Sequence, residues 1–157
     1  MPNVAAKDLH SLVKDILVAA GASETNADRM GEALVASNLA GVDTHGVFHL
    51  PHYVSQIKSG ELAPTASPEI VTETANSALV RGNWTFGHVV AEYTMRLAID
   101  KARDHDIGIA SMVESVHIGR LGEYAEMATA QDMVSLICAN TNGAAQRVAP
   151  VGGKRPR

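Results

Sequence analysis

The chain carries one cysteine, Cys138, among 157 residues. No internal disulfide can form, and a reducing, cytoplasmic compartment is expected. Cys138 lies in the apolar run Met133–Ala139, where a small core side chain is expected rather than a nucleophile. No apolar run approaches the roughly 20 residues needed to span a bilayer, so no membrane partner is expected. Lys7, Asp8 and Lys14 interrupt the first amphipathic stretch, which does not read as a signal peptide. Basic runs are missing before the tail Lys154-Arg155-Pro156-Arg157, and the net charge is −4, so nucleic-acid binding is disfavoured. There is no Gly-x-Gly-x-x-Gly fingerprint, no P-loop and no His-x-x-x-His pair flanking an acid. A metal is not expected, although the sequence proximity of His45, His49 and His52 keeps a metal-dependent hydrolase using His45, His49 and His117 as an alternative.

What is present suits a globular protein. The apolar fraction is 46% and the charged fraction 19%, enough for a sizeable core in a chain of this length. Leu9, Leu12, Val13, Ile16, Leu17 and Ala20 recur at helical spacing up to Gly21. Ser23 is placed to cap a second helix from about Glu24 to Ala40, with Met30, Leu34, Val35 and Leu39 as its inner face. A third helix is expected from about Val47 to Ser59, with Pro51 in its first turn and Leu50, Tyr53, Val54 and Ile57 on one side. Leu62 to Pro68 reads as a linker. It separates an N-terminal helical segment, 1–61, from a partial α/β unit, 69–157.

In that second unit, Glu69 to Thr74 and Ala78 to Arg81 look like short strands. A long helix is expected from about His88 to Asp104. Ile107 to Val113 and Met133 to Ala139 read as buried strands, with a helix at Leu121 to Ala130 between them. This rhythm predicts an α/β fold with a mixed sheet and no Rossmann fingerprint.

Two histidine segments carry the chemistry. In Asp43-Thr44-His45-Gly46, an imidazole beside glycine at an element boundary can transfer protons near neutral pH. Gly46 removes bulk and would let a substrate approach, while Thr44 can hold the ring or the substrate. The structural alternative is that Asp43-Thr44 caps the third helix and leaves His45 exposed. In Val116-His117-Ile118-Gly119-Arg120-Leu121-Gly122, His117 lies between a strand and a helix, where ligands meet α/β sheets, and Gly119 and Gly122 allow backbone approach. His49 and Tyr53 fall on one helical face and are candidate substrate contacts. Asn140 and Thr141 follow the last expected strand and can bond a ribose or an amide. His10, His52, His88 and His105 read as surface or satisfied core residues.

The two histidine segments in this order, with Val148-Ala149-Pro150-Val151-Gly152-Gly153 downstream, resemble the malate/L-lactate dehydrogenase family, including the sulfolactate dehydrogenases. The resemblance runs from about Leu9 onward and matches the family's N-terminal half. It implies an NAD- or NADP-dependent oxidoreductase acting on a small 2-hydroxy or 2-oxo acid or a cyclic imine acid. It further implies that His45 is the acid/base, aided by Thr44, that His117 lies in the active site, and that Asn140 and Thr141 help hold the cofactor. Which of His45 and His117 moves the proton stays open. Family members place an arginine four residues after the first histidine; here that residue is His49. A homodimer is implied too. The chain is then expected to be the N-terminal portion of a roughly twofold longer enzyme, inactive alone, the other reading being a non-catalytic fragment that folds or dimerises without cofactor.

Overall fold

Residues three and four apart on two successive helices meet to start the core. The computed structural model describes residues 4–140. Helix α1 (Ala6–Ala19) buries Val13 and Leu17, and α2 (Glu24–Leu39) buries Met30, Leu34 and Val35. Ser23 caps α2 as its sequence position predicts: its side chain accepts a hydrogen bond from the Asn26 amide, satisfying a donor the helix leaves orphaned. Leu39 does not join the inner face. It is the last residue of α2 and is exposed, because the chain turns away at Gly41, where φ is +74°.

Two short 3-10 turns, Asp43–His45 and Val47–His49, lead into α3 (Leu50–Ser59). Pro51 occupies the first turn of α3, and Gly60 ends the helix in the left-handed conformation. Tyr53 is fully buried in a cluster with Val13, Leu17, Met30, Leu34, Leu62 and Phe86, and Leu50, Val54 and Ile57 pack against it. The stretch expected as a linker is fastened down. Leu62 enters this core, and the buried Asn26 side chain donates to the carbonyls of Pro64 and Ala66, each at 3.0 Å.

The sheet has three strands, β1 (Glu69–Glu73), β2 (Ser77–Arg81) and β3 (Ile109–Val113), in that spatial order. β1 runs antiparallel to β2, with a register irregularity between Ile70 and Thr72, and β3 runs parallel to β2. Val80 therefore sits opposite both Ile70 and Met112. Parallel neighbours need a crossover, which α4 (Gly87–His105) supplies by packing on β2 and β3. Helix α5 (Leu121–Thr129) follows and packs on α4. An ionic tie joins three of the helices: Arg29 of α2 pairs with Glu92 of α4 and Glu123 of α5, all three largely buried.

Two strand expectations are corrected. β3 is not buried: Ile109 is 60% exposed, because α4 covers one face and the outer edge has no partner among the described residues. Met133–Ala139 forms no strand. Val134 and Leu136 are 101% and 91% exposed, and Cys138 is exposed rather than in a core. An apolar run becomes a strand only by sharing a hydrogen-bond ladder, and none pairs with it among the described residues. No helix among those residues is long and apolar enough to cross a membrane.

Candidate active site

The turn carrying His45 is held from below by Asn38, a residue the sequence reading missed. The Asn38 amide nitrogen donates to Asp43 Oδ1 at 2.5 Å, and its oxygen accepts from the Val47 amide at 2.9 Å. One side chain thus clamps both sides of His45. This explains Gly46 differently from the sequence reading. A Cβ on Gly46 would stand 2.2 Å from Asn38 Oδ1, so the glycine makes room for the clamp. The helix-capping alternative also fails: the turns and α3 have no side-chain cap, and the Asp43 carboxylate is engaged by Asn38. Thr44 Oγ1 lies 3.1 Å from His45 Nδ1, which fixes one edge of the imidazole.

Three imidazoles converge. Ring centroids lie 5.4 Å apart for His45 and His117, 4.9 Å for His49 and His117, and 6.3 Å for His45 and His49. His45 and His49 are half-buried and His117 is exposed, so the group lines an open surface. Tyr53 lies beneath it, its ring stacked 6.5 Å from His117 and its hydroxyl 2.9 Å from His117 Nδ1. Burial pushes the Tyr53 phenol above its ordinary range and keeps it neutral. Burial also lowers the His49 pKa, with help from neighbouring His45 and His52. His52 itself is exposed, 6.3 Å from both His49 and Tyr53.

His88, expected to be a surface or satisfied core residue, is neither. It is fully buried, edge-on to Tyr53 and His117, and neither ring nitrogen has a hydrogen-bond partner among the described residues. Its pKa is driven well below the ordinary value, first by desolvation and then by the positive charges that His117 and Arg29 would bring. Gly119 is the residue that accommodates it. The backbone there has φ +74°, and a Cβ would stand 2.1 Å from His88 Nε2. Gly119 therefore lets a loop approach His88, where the sequence suggested approach to a ligand. No local sequence pattern pointed to His88, since its partners come from α3 and the loop after β3.

The structure thus brings Thr44, His45, His49, Tyr53 and His117 together. Asn140 is exposed at the end of the described chain, and Thr141 falls outside the described residues. No group of three or more His, Cys, Asp or Glu side chains is arranged to hold a metal among the described residues.

The family model for malate/L-lactate dehydrogenases matches residues 4–157. The sequence is 37% identical over 145 residues to the L-sulfolactate dehydrogenase of Methanothermobacter thermautotrophicus, covering 92% of this chain and 42% of that enzyme. Its fold is similar to malate dehydrogenase from Entamoeba histolytica, with a TM-score of 0.80 and 34% identity over 83% of this chain and 36% of that one. It is also similar to delta1-piperideine-2-carboxylate reductase from Pseudomonas syringae pvar. tomato, with a TM-score of 0.77 and 27% identity, covering 83% and 40% of the two chains. The chain spans about two-fifths of the length of the relatives it matches.

The buried His88 makes the fold acid-sensitive. Its native pKa lies well below the ordinary 6.5. The unfolded chain therefore binds more protons as pH falls below about 6.5, and native stability declines at up to about 1.4 kcal/mol per pH unit for this residue. His49 acts in the same direction. Urea unfolding at about pH 7.5 and about pH 5.5 is expected to give a lower midpoint at the acid pH. The drop should be smaller in His88→Gln. An equal drop in the variant would remove His88 as the cause.

Proposed function

The chain belongs to the malate/L-lactate dehydrogenase family, and from that premise we propose an NAD- or NADP-dependent oxidoreductase that transfers hydride between the nicotinamide and a small 2-hydroxy or 2-oxo acid, or a cyclic imine acid. The observation that carries this reading is the convergence of His45, His49 and His117 on one open surface. The relatives' names support the substrate class. Malate and sulfolactate are 2-hydroxy acids, and piperideine-2-carboxylate is a cyclic imine acid. A homodimer in the cytoplasm belongs to the same reading.

A bound nicotinamide supplies or removes the hydride. The exposed carboxamide of Asn140 has the donor and acceptor chemistry to hold a ribose hydroxyl or the nicotinamide amide, with Thr141 beside it in sequence; the described residues add no glycine-rich phosphate cradle. The remaining work falls to side chains of this chain. When hydride reaches the substrate carbon, negative charge develops on the carbonyl oxygen or imine nitrogen, and a proton must arrive. His45 delivers it, with Thr44 steadying Nδ1 so that Nε2 faces the substrate, and takes it back in the oxidative direction. His49 meets the substrate carboxylate. Its lowered pKa makes it a neutral single donor, weaker than the bidentate arginine that members of the family place there. His117 forms the opposite wall.

Two substitutions in the full-length protein test the assignment. His45→Ala is expected to lower kcat about 10²–10⁴-fold, the usual contribution of general acid catalysis, with cofactor affinity nearly intact. A loss under about tenfold would refute the role. His49→Arg is expected to lower KM for simple 2-oxo acids such as pyruvate, because two parallel bonds replace one. An unchanged KM in a folded variant would put His49 outside the substrate site.

A further inference from the structure

We infer that Tyr53 is a positioning residue that holds His117 in its Nε2–H tautomer, so that His117 meets the substrate as a neutral hydrogen-bond donor and leaves proton transfer to His45. The inference rests on the oxidoreductase reading for its functional half, while its structural half stands alone.

Tyr53 is fully buried. Its ring is wedged edge-on between Phe86 and His88, with centroids 6.1 and 5.9 Å away, so the phenol cannot swing out to water. A buried hydroxyl needs an acceptor for its hydrogen. Among the described residues that acceptor is His117 Nδ1, at 2.9 Å. The bond could run either way. If Nδ1–H donated to the phenol oxygen, the phenol hydrogen would be stranded in the core. His88, the other polar ring against Tyr53, forms no hydrogen bond to take it. The arrangement that satisfies both groups has the Tyr53 hydroxyl donating and Nδ1 accepting. Neutral His117 then carries its proton on Nε2.

This divides the labour between the two histidines. An imidazole whose Nε2 already bears hydrogen can donate to a carboxylate or carbonyl oxygen. To gain a second proton it must take it at Nδ1 and break the bond from Tyr53, so the tyrosine opposes the imidazolium. Titratable groups that face His117 include His45, His49, His88 and Tyr53. The three imidazoles, if protonated, oppose charge on His117 further. His45 is placed differently. Its Nδ1 faces the exposed Thr44 hydroxyl at 3.1 Å, which can turn to donate or accept. His45 can therefore pass through both protonation states without breaking a buried bond. Substrates that suit His117 are anions with an oxygen acceptor next to the reacting carbon, as in 2-oxo acids.

The test is a long-range ¹H–¹⁵N correlation spectrum of the histidine rings in the folded protein at about pH 7.5, with His117 assigned through His117→Gln. The expected wild-type pattern is a protonated Nε2 and a bare Nδ1. In Tyr53→Phe the pattern should shift toward a tautomer mixture, and the His117 titration midpoint should rise. A wild-type Nδ1–H pattern would overturn the inference. So would an unchanged His117 spectrum in a Tyr53→Phe protein whose amide spectrum shows it folded. If that variant does not fold, the wild-type pattern alone decides. Kinetics in the full-length protein supply the functional arm: Tyr53→Phe should raise KM several-fold with a smaller change in kcat, the reverse split from His45→Ala. A kcat loss matching that of His45→Ala would make His117 the proton-transfer group and overturn the division. Absence of any turnover would count against the oxidoreductase reading while leaving the tautomer result intact.

Discussion

A tyrosine buried on its ring and committed at its hydroxyl links the core of this protein to its chemistry. Tyr53 belongs to the cluster formed by α1, α2 and Phe86, and the same side chain ends on His117 Nδ1. The hydrophobic term that buries an aromatic ring is worth on the order of 2–3 kcal/mol. That is enough to fix where the hydroxyl stands, and so where the loop after β3 carries its imidazole. The His117 loop cannot drift from α3 without either stranding a buried hydroxyl or pulling an aromatic ring from the core.

The same site is braced on two further sides. Asn38 fixes the turn that bears His45 by satisfying Asp43 and Val47 together. Arg29 joins α2 to α4 and α5 through Glu92 and Glu123. Removing one partner of such a largely buried pair is costly, because it leaves an uncompensated charge. The helices on which His88 and the His117 loop depend are therefore locked together close to the imidazoles. The half-buried and exposed rings stay open to a ligand, while Tyr53, which orients His117, is buried out of reach of water.

How much of this could be read from sequence follows the range of each interaction. The three N-terminal helices, the Ser23 cap and the two short antiparallel strands depend on neighbours within a few residues, and periodicity displays them. His45 and His117 were visible because each stands in a short motif with glycine, and family resemblance joined them. Asn38 acts across a turn on residues five and nine positions away, and nothing in its own segment marks it. His88 and Arg29 act through contacts between distant elements. The reasons for Gly46 and Gly119 lay in those same hidden partners, so the sequence credited their openness to a ligand. The apolar runs at Ile107–Val113 and Met133–Ala139 looked buried because hydrophobicity marks what can be covered, not what covers it.

The central claim is that His45, His49 and His117 form one substrate surface. The direct measurement follows the histidine ring Cε1–H resonances during titration with a non-reducible 2-oxo acid analogue such as oxamate, in the presence of reduced nicotinamide cofactor. The account predicts that the resonances of His45, His49 and His117 move together with a single dissociation constant, while those of His10 and His105 stay still. Saturable binding that leaves the three converging histidines unmoved, or that moves only residues elsewhere, would contradict it.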